Sequence, residues 1–454
     1  MINEKYYPWL IALVGLVFFV PFLGNVHLFD WDEINFAESA REMIVSGNYS
    51  RVQVGFQPFW EKPPLFFWLQ SLSMHLFGVN EFAARLPNAV FGSLTLVTIY
   101  MIGRQQRNVQ FGLLWTLLYF GSILPHMYFK SGIIDPVFNY FIFLGIYFLM
   151  LALQGQGNKM RNSALAGIMI GFAVLTKGPV GFLLLLLTFL VVLVMQRFKN
   201  LPNVKQVLVF ALTAFLVSLF WYGFEMIENG PWFLVEFLEY QVELFRTPVA
   251  DHAQPFYYHF VVVLLGCFPM SVLALGGFKP GKAADPIAQW MMVLFWVVMI
   301  LFTIVTTKIV HYSSMAYLPL SFIAADYLFP KIQKQAGLPN WVIVIFVLIG
   351  MIFGVLLTAL PLVNVFRESI APLINDPFAV AGIMKDVYWS GHEYIIGVVY
   401  LIGVMVVAYL LTRKQLLKGL VVMALNTGLT LFLYMLFVLP KIEAHTQGLL
   451  IDFL

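Results

Sequence analysis

Charge is what this chain has least of. Only 11% of its 454 residues are Asp, Glu, Lys or Arg, whereas soluble domains carry roughly 25%. That scarcity excludes an ordinary water-soluble domain. A formal net charge of +3, spread along the chain, offers no basic face for nucleic acid. Cysteine is nearly absent. The single Cys267 lies in an apolar run, so no intramolecular disulfide can form. The sequence also lacks a Gly-rich nucleotide loop, a low-complexity tract, an internal repeat and any polar stretch long enough to fold as a separate domain. No small-residue cleavage site follows the first apolar run, which is therefore expected to stay as an anchor.

What the chain has is hydrophobic sequence, at 61% of residues. About thirteen apolar runs recur, at roughly 9–24, 82–103, 110–128, 134–153, 161–176, 179–196, 206–222, 257–277, 288–306, 309–328, 341–361, 394–411 and 416–437, each of a length suited to a spanning helix. The expected fold is an all-α polytopic membrane protein, one membrane-embedded domain over residues 1–454. Lys5, Arg104, Arg107, Lys159, Arg161, Arg197, Lys199, Lys205, Lys331, Lys334, Arg413 and Lys414 cluster in alternate short loops. The positive-inside rule makes those loops and the N-terminus cytoplasmic, and the C-terminus periplasmic. In that topology only Glu4, Asp285 and Asp326 of the 23 acids fall inside, and all eight histidines fall outside. The working face is expected there.

Three outer segments exceed turn length: 25–81, 223–256 and 362–393. Loops that long usually carry function or their own helices. In the first, Asp32 is a natural N-cap for a helix over Glu33–Ser46, with Gly47 as its stop. Pro63 and Pro64 favour a second helix over Leu65–Phe77. Both are expected to lie in the membrane interface.

The chemistry-bearing residues fall in these outer segments and at span junctions. The run Asp30-Trp31-Asp32-Glu33 places three carboxylates beside a span, where charge needs a purpose or a partner. Neighbouring carboxylates can act as a general base and its orienting group. Lys62, in Glu61-Lys62-Pro63-Pro64, is a cation on a rigid backbone, suited to gripping a phosphate. Asp135 opens the fourth run after Lys130-Ser131-Gly132, where a helix N-terminus tolerates an anion. Lys177-Gly178-Pro179 joins two runs and sets a cation beside free backbone N–H groups, a phosphate-binding pattern. Arg246 and Lys308 add further outer cations, the latter in Lys308-Ile309-Val310-His311-Tyr312. Glu61 with His252 offers a sparse divalent-metal site. Each residue also has a plainer reading: Asp32 and Asp135 as helix caps, Glu61–Lys62 as a surface ion pair, Lys177 as a snorkelling cation. Outer cations run against the positive-inside bias, however, and a lipid-linked phosphate entering sideways would explain them.

Taken together, Asp32-Glu33 with Ala37-Glu38, Glu61-Lys62-Pro63-Pro64, Asp135, Lys177-Gly178-Pro179 and Lys308 with His311-Tyr312 resemble the GT-C glycosyltransferases that use polyprenyl-phosphate-linked sugars. That class includes the aminoarabinose transferases of lipid A and the protein O-mannosyltransferases. The resemblance covers most of the chain and is strongest in its first 180 residues. It implies a GT-C fold in a bacterial inner membrane, with catalysis on the periplasmic face. Asp32 would be the catalytic carboxylate, with Glu33 in support and Asp135 close by. Lys62, Lys177, Arg246, Lys308 and Tyr312 would line the donor phosphate, and Glu61 and His252 would hold a metal. The implied donor is a sugar on undecaprenyl phosphate. The implied acceptor is a lipid or glycan of the envelope, lipid A-like by preference, and no nucleotide takes part. Where the aminoarabinose transferases carry Arg and Tyr after the Asp-Glu pair, this chain has Asn35 and Phe36. Composition alone also admits a secondary transporter, or an envelope lipid ligase or acyltransferase using the same vestibule.

Overall fold

The computed structural model describes residues 3–29, 31–246, 254–278, 285–448 and 451, without the side chains of 241 and 244–246. The chain is a helical membrane protein with a single two-stranded hairpin among the described residues. Seven of the described helices are individually long and apolar enough to cross a bilayer, and a bent pair makes up to eight. The remaining apolar runs are also helical, but shorter, broken or less apolar.

Helix α1 (Tyr7–Phe19) leads into the first outer segment. There α2 (Trp31–Ser46) begins two residues earlier than expected, so Asp32 lies in its first turn and is not its N-cap. Acidic side chains in that turn suit the positive end of the helix. The helix stops before Gly47, whose φ is +68°. A hairpin of β1 (Gln53–Val54) and β2 (Gln57–Pro58) follows. Its two loop residues, Gly55 and Phe56, both have positive φ, the mirror-image turn that matches strand twist. Helix α3 (Leu65–Phe77) starts after Pro64, as expected. α2 and α3 bury Phe36, Phe66 and Phe67 in a small second core.

Two spanning helices start at this same end: α4 (Glu81–Gln106), capped by the Asn80 side chain on Ala83 N at 2.8 Å, and α7 below. Between them the run expected at 110–128 is broken into α5 (Val109–Phe120) and α6 (Ile123–Tyr128). Pro125 has no N–H for the Gly121 carbonyl, and its ring clashes there. A second break separates α12 and α13, and the two breaks meet: Ile123 N donates to Phe268 O at 3.0 Å. Irregular backbone at membrane depth is tolerated where protein partners satisfy it in this way.

Next come α7 (Asp135–Gln154), α8 (Lys159–Lys177), α9 (Val180–Met195) and α10 (Val204–Asn229). α8 and α10 approach closely because Gly167 and Gly171 present no side chain; a Cβ on either would collide with α10. This small-xxx-small spacing is a common membrane contact. α10 runs on past its expected end at residue 222, and α11 (Trp232–Arg246) folds back to bring Phe233 and Phe237 into the second core. α12 (Tyr258–Gly266) and α13 (Met270–Ala274) follow, the pair being bent by 106°. Then come α14 (Pro286–Ile304), a 3-10 turn over Val310–Ala316, and α15 (Tyr317–Gln333).

The last third holds α16 (Asn340–Leu362), short α17 (Arg367–Ile370) and α18 (Pro377–Met384) in the third outer segment, then α19 (Tyr394–Thr412), α20 (Leu416–Phe437) and α21 (Leu439–His445). Lys441 on α21 pairs with Glu393, and Glu443 contacts His27. These contacts bind the C-terminal helix to both the third and the first outer segments. At the opposite end of the bundle, Arg107 pairs with Asp285 and with Asp326.

Candidate active site

The site forms where the first outer segment meets the starts of α7 and α9, the end of α8 and the Val310–Ala316 turn. Its best-defined part is a chain of charges. Lys177 Nζ donates to Asp135 Oδ1 at 2.7 Å. His311 Nε2 stands 3.9 Å from Asp135 Oδ2 and 3.3 Å from Asp32 Oδ2. Asp32 and Asp135 thus face one imidazole nitrogen. Asp32 is the more open, its side chain 20% exposed against 4% for Asp135.

Local sequence explains several of these placements. Asp135 opens α7 with Pro136 behind it, and Lys177 closes α8, where a cation suits the negative end of the helix. Gly178 then turns the chain at φ +104°, against the ring of Phe237. An L side chain would be strained there and would collide.

The turn that presents Asp135 is clamped from behind. Asn88 Nδ2 donates to the carbonyls of Ser131 and Ile133, each at 2.6 Å. Glu33 accepts from Gly132 N at 2.5 Å and from Phe29 N at 3.0 Å. Arg85 holds both Glu33 oxygens at 2.8 Å and donates to the carbonyls of Leu23, Val26 and His27. Burial would push the Glu33 carboxyl up. The Arg85 guanidinium and the two amides outweigh it and hold the group below the usual carboxylate range. Glu33, expected as a catalytic partner of Asp32, therefore has both oxygens occupied by a buried ion pair. Lys130, in the turn before Asp135, is turned inward, its Nζ donating to the Pro21 and Phe19 carbonyls at 2.7 and 3.3 Å. Lys308 Nζ likewise donates inward, to Val305 O at 2.8 Å.

Lys62 lies 3.3 Å from Glu61 and 5.4 Å from the centre of the Tyr240 ring. Tyr240 Oη donates to Glu61 Oε2 at 3.1 Å. Burial and the Glu61 charge push the Tyr240 phenol up, so it remains a proton donor. Glu61 is thus engaged by Lys62 and Tyr240. Among the described residues no three His, Cys, Asp or Glu side chains gather as metal ligands. His252 and Asp30 lie outside the described residues, as does the Arg246 side chain.

Lys62, Asp135, Lys177 and Tyr312 line the mouth of a cavity of about 240 Å³. Its walls are apolar: Phe138, Leu183, Leu184, Leu301, Phe302 and Val305. The Tyr312 ring lies 5.1 Å from Lys177 Nζ and 5.6 Å from the Phe302 ring. The lining thus joins two lysines, each beside a carboxylate, to an apolar cleft, an arrangement with room for a polar head and an apolar tail. Tyr240 is a residue that sequence reasoning did not select, and His311 was singled out only within the Lys308-Ile309-Val310-His311-Tyr312 run, without a role. The His311-Tyr312 pair stood beside Lys308 in the sequence, but nothing local aimed the imidazole at two carboxylates.

Comparison with known proteins follows the same direction. Residues 61–221 match the family model "Dolichyl-phosphate-mannose-protein mannosyltransferase". Over 344 residues the chain is 27% identical to undecaprenyl phosphate-alpha-4-amino-4-deoxy-L-arabinose arabinosyl transferase 1 of Proteus mirabilis, covering 71% of this chain and 59% of that one. The homonymous Pectobacterium atrosepticum transferase is 24% identical over 450 residues, 94% of this chain and 74% of that one. The match therefore spans less than two thirds of the Proteus relative's length. Among solved structures, that of ArnT from Cupriavidus metallidurans bound to undecaprenyl phosphate superposes with a TM-score of 0.75 at 18% identity, covering 98% of this chain and 78% of that one. The chain has the fold of that GT-C protein, as the sequence led one to expect, and its likeness to the polyprenyl-phosphate-dependent glycosyltransferases holds in sequence and in fold.

Proposed function

We propose that this protein is a membrane glycosyltransferase that moves a sugar from a polyprenyl-phosphate carrier, undecaprenyl phosphate, to a lipid or glycan acceptor of the cell envelope. The observation that carries the reading is the juxtaposition of Asp32, His311 and Asp135 with Lys62 and Lys177 at the mouth of an apolar cavity. The names of the similar proteins support a transferase over the transporter and ligase alternatives.

In this reading the isoprenoid chain lies against Leu183, Leu184, Leu301 and Phe302, and its phosphate sits between Lys62 and Lys177 with Tyr312 alongside. As the bond from the anomeric carbon to the phosphate oxygen breaks, its electron pair stays on the phosphate. The two lysines stabilise the charge where it develops. The acceptor hydroxyl adds to the anomeric carbon from the opposite side and gives its proton to Asp32, with inversion at that carbon. His311 orients Asp32 and keeps it apart from Asp135. Glu33 acts at one remove: it fixes the Gly132 turn directly and is itself held by Arg85. Lys308 shapes the cavity wall through Val305. No step needs a nucleotide, and none is routed through a metal. The favoured acceptor is a lipid A-like glycolipid on the periplasmic side of the inner membrane.

The test is transfer in proteoliposomes containing an undecaprenyl-phosphate sugar and candidate acceptors, read by mass spectrometry. Asp32→Asn should lose at least ~100-fold in rate, the lower end of what a general base supplies, with unchanged thermal stability. Full activity in that variant would remove Asp32 from the reaction. Envelope glycolipids identical with and without the gene would count against the acceptor class.

A further inference from the structure

Helix α9 separates two apolar cavities. Val180, Leu183 and Leu184 face the one described above. Phe182, Leu185, Leu186 and Phe189 line a second cavity of about 400 Å³ on the other side of the helix. Its other walls include Val207, Phe210 and Ala211 of α10, Leu149 and Leu153 in the last turns of α7, Ser163 of α8 and Pro202. At 1.5 Å per residue those turns lie roughly 20 Å or more from Asp135. The second cavity therefore opens toward the end of the bundle away from the candidate active site, and an occupant headed there cannot share Lys62 or Lys177.

At that end the segments around α8, α9 and α10 contribute cations and no carboxylate of their own. Lys159 and Arg161 open α8, Arg197 and Lys199 follow α9, and Lys205 opens α10 beside the cavity residue Gln206. All five side chains are exposed, and none is in an ion pair among the described residues. No Asp or Glu occurs anywhere between Asp135 and Glu225. A neighbouring cleft shares Leu153 and Phe189 with the cavity and is lined by Gln154 and Asn200. There the Gln154 Nε2 group is buried with no hydrogen-bond partner, while its Oε1 accepts from Gln156.

We propose that the groove between α9 and α10 binds an anionic phospholipid of the leaflet opposite the candidate active site. One acyl chain lies along Phe182, Leu186, Phe189 and Phe210, and the phosphodiester head sits among Arg161, Lys199 and Lys205. Complementarity selects this occupant: the segments that border the groove offer five cations and no carboxylate of their own, and its walls are apolar apart from Ser163 and Gln206. Basic pockets between spanning helices on the cytoplasmic side suit such headgroups. The proposal stands whether or not the protein transfers a sugar.

The rival account is that these cations only orient the chain in the membrane. Native mass spectrometry of the full-length protein, titrated with phosphatidylglycerol or with phosphatidylethanolamine, separates the two. The groove predicts tighter retention of phosphatidylglycerol. The triple variant Arg161→Gln/Lys199→Gln/Lys205→Gln should weaken that retention roughly tenfold or more and leave phosphatidylethanolamine unaffected. Ala211→Trp, which fills the groove and keeps every charge, should abolish retention of both. Equal retention of the two lipids by the unaltered protein, or undiminished phosphatidylglycerol binding by the folded triple variant, overturns the proposal.

Discussion

Replacing Glu33 tests whether this residue reacts or supports. Its side chain is 5% exposed and that of Arg85 4%. The guanidinium is shared between two carboxylate oxygens and three carbonyls from the chain leaving α1. Arg85→Ala strips a buried carboxylate of its counter-ion and leaves those carbonyls short of a donor. Breaking a buried pair from one side costs about 3–5 kcal/mol. Glu33→Gln removes the charge but keeps the shape. It sets an amide NH2 against donors on Arg85 or Gly132, and an unmatched buried group of this kind costs about 1–3 kcal/mol. The double variant Glu33→Met/Arg85→Met should lose less than the two single losses combined, because the members of a pair are not independent. Unfolding followed by tryptophan fluorescence in nanodiscs reads the stabilities, and turnover per folded molecule reads the chemistry. Glu33→Gln should lower stability and retain most of the turnover; Asp32→Asn should do the reverse. Because the folded-state pKa of Glu33 is lowered, its contribution is complete above the ordinary value of 4.5 and is lost as pH falls through the folded-state value. Glu33→Gln should erase that acid-side loss. A Glu33→Gln protein as stable as the original but inactive would refute the supporting role.

Two other substitutions probe the site. Gly178→Ala forces an L residue to φ +104° and its Cβ into the Phe237 ring; a stability loss of about 2–4 kcal/mol is expected from strain and collision together, and a stability unchanged within error would contradict the described turn. Lys177→Met removes one donor-phosphate cation and leaves Asp135 without its partner, so kcat/KM for the lipid donor should fall by at least ~100-fold. Lys62→Met, which leaves the Asp135 pair intact, should act more on KM. Identical kinetic signatures for the two would mean that the lysines do not divide the work in this way.

Much of the fold was legible because its signals are local. Apolar runs, Pro64, Pro179 and the positive-φ glycines Gly47 and Gly178 act within a few residues, and the helices lie close to where those signals place them. The breaks at Gly121-Pro125 and before Pro269 were hidden because hydrophobicity continues across them; the contact of Ile123 with Phe268, made between distant segments, helps to make them tolerable. In the candidate site, Asp32, Lys62, Asp135, Lys177 and Tyr312 stood out as polar residues in places that disfavour them. His311 did not, since its meaning depends on carboxylates brought from two distant segments.

The sequence by itself determined the solvent this protein folds in, the approximate position of nearly every helix and the segments that hold its charged residues. Those properties follow from composition and from periodicities of a few residues. The tertiary structure decided which charges remain available. Glu33 meets Arg85 across 52 positions and Asp135 meets Lys177 across 42, while Lys130 turns to the carbonyls at the end of α1. A buried charge must find a partner wherever packing supplies one, and packing is the property that a linear pattern does not contain.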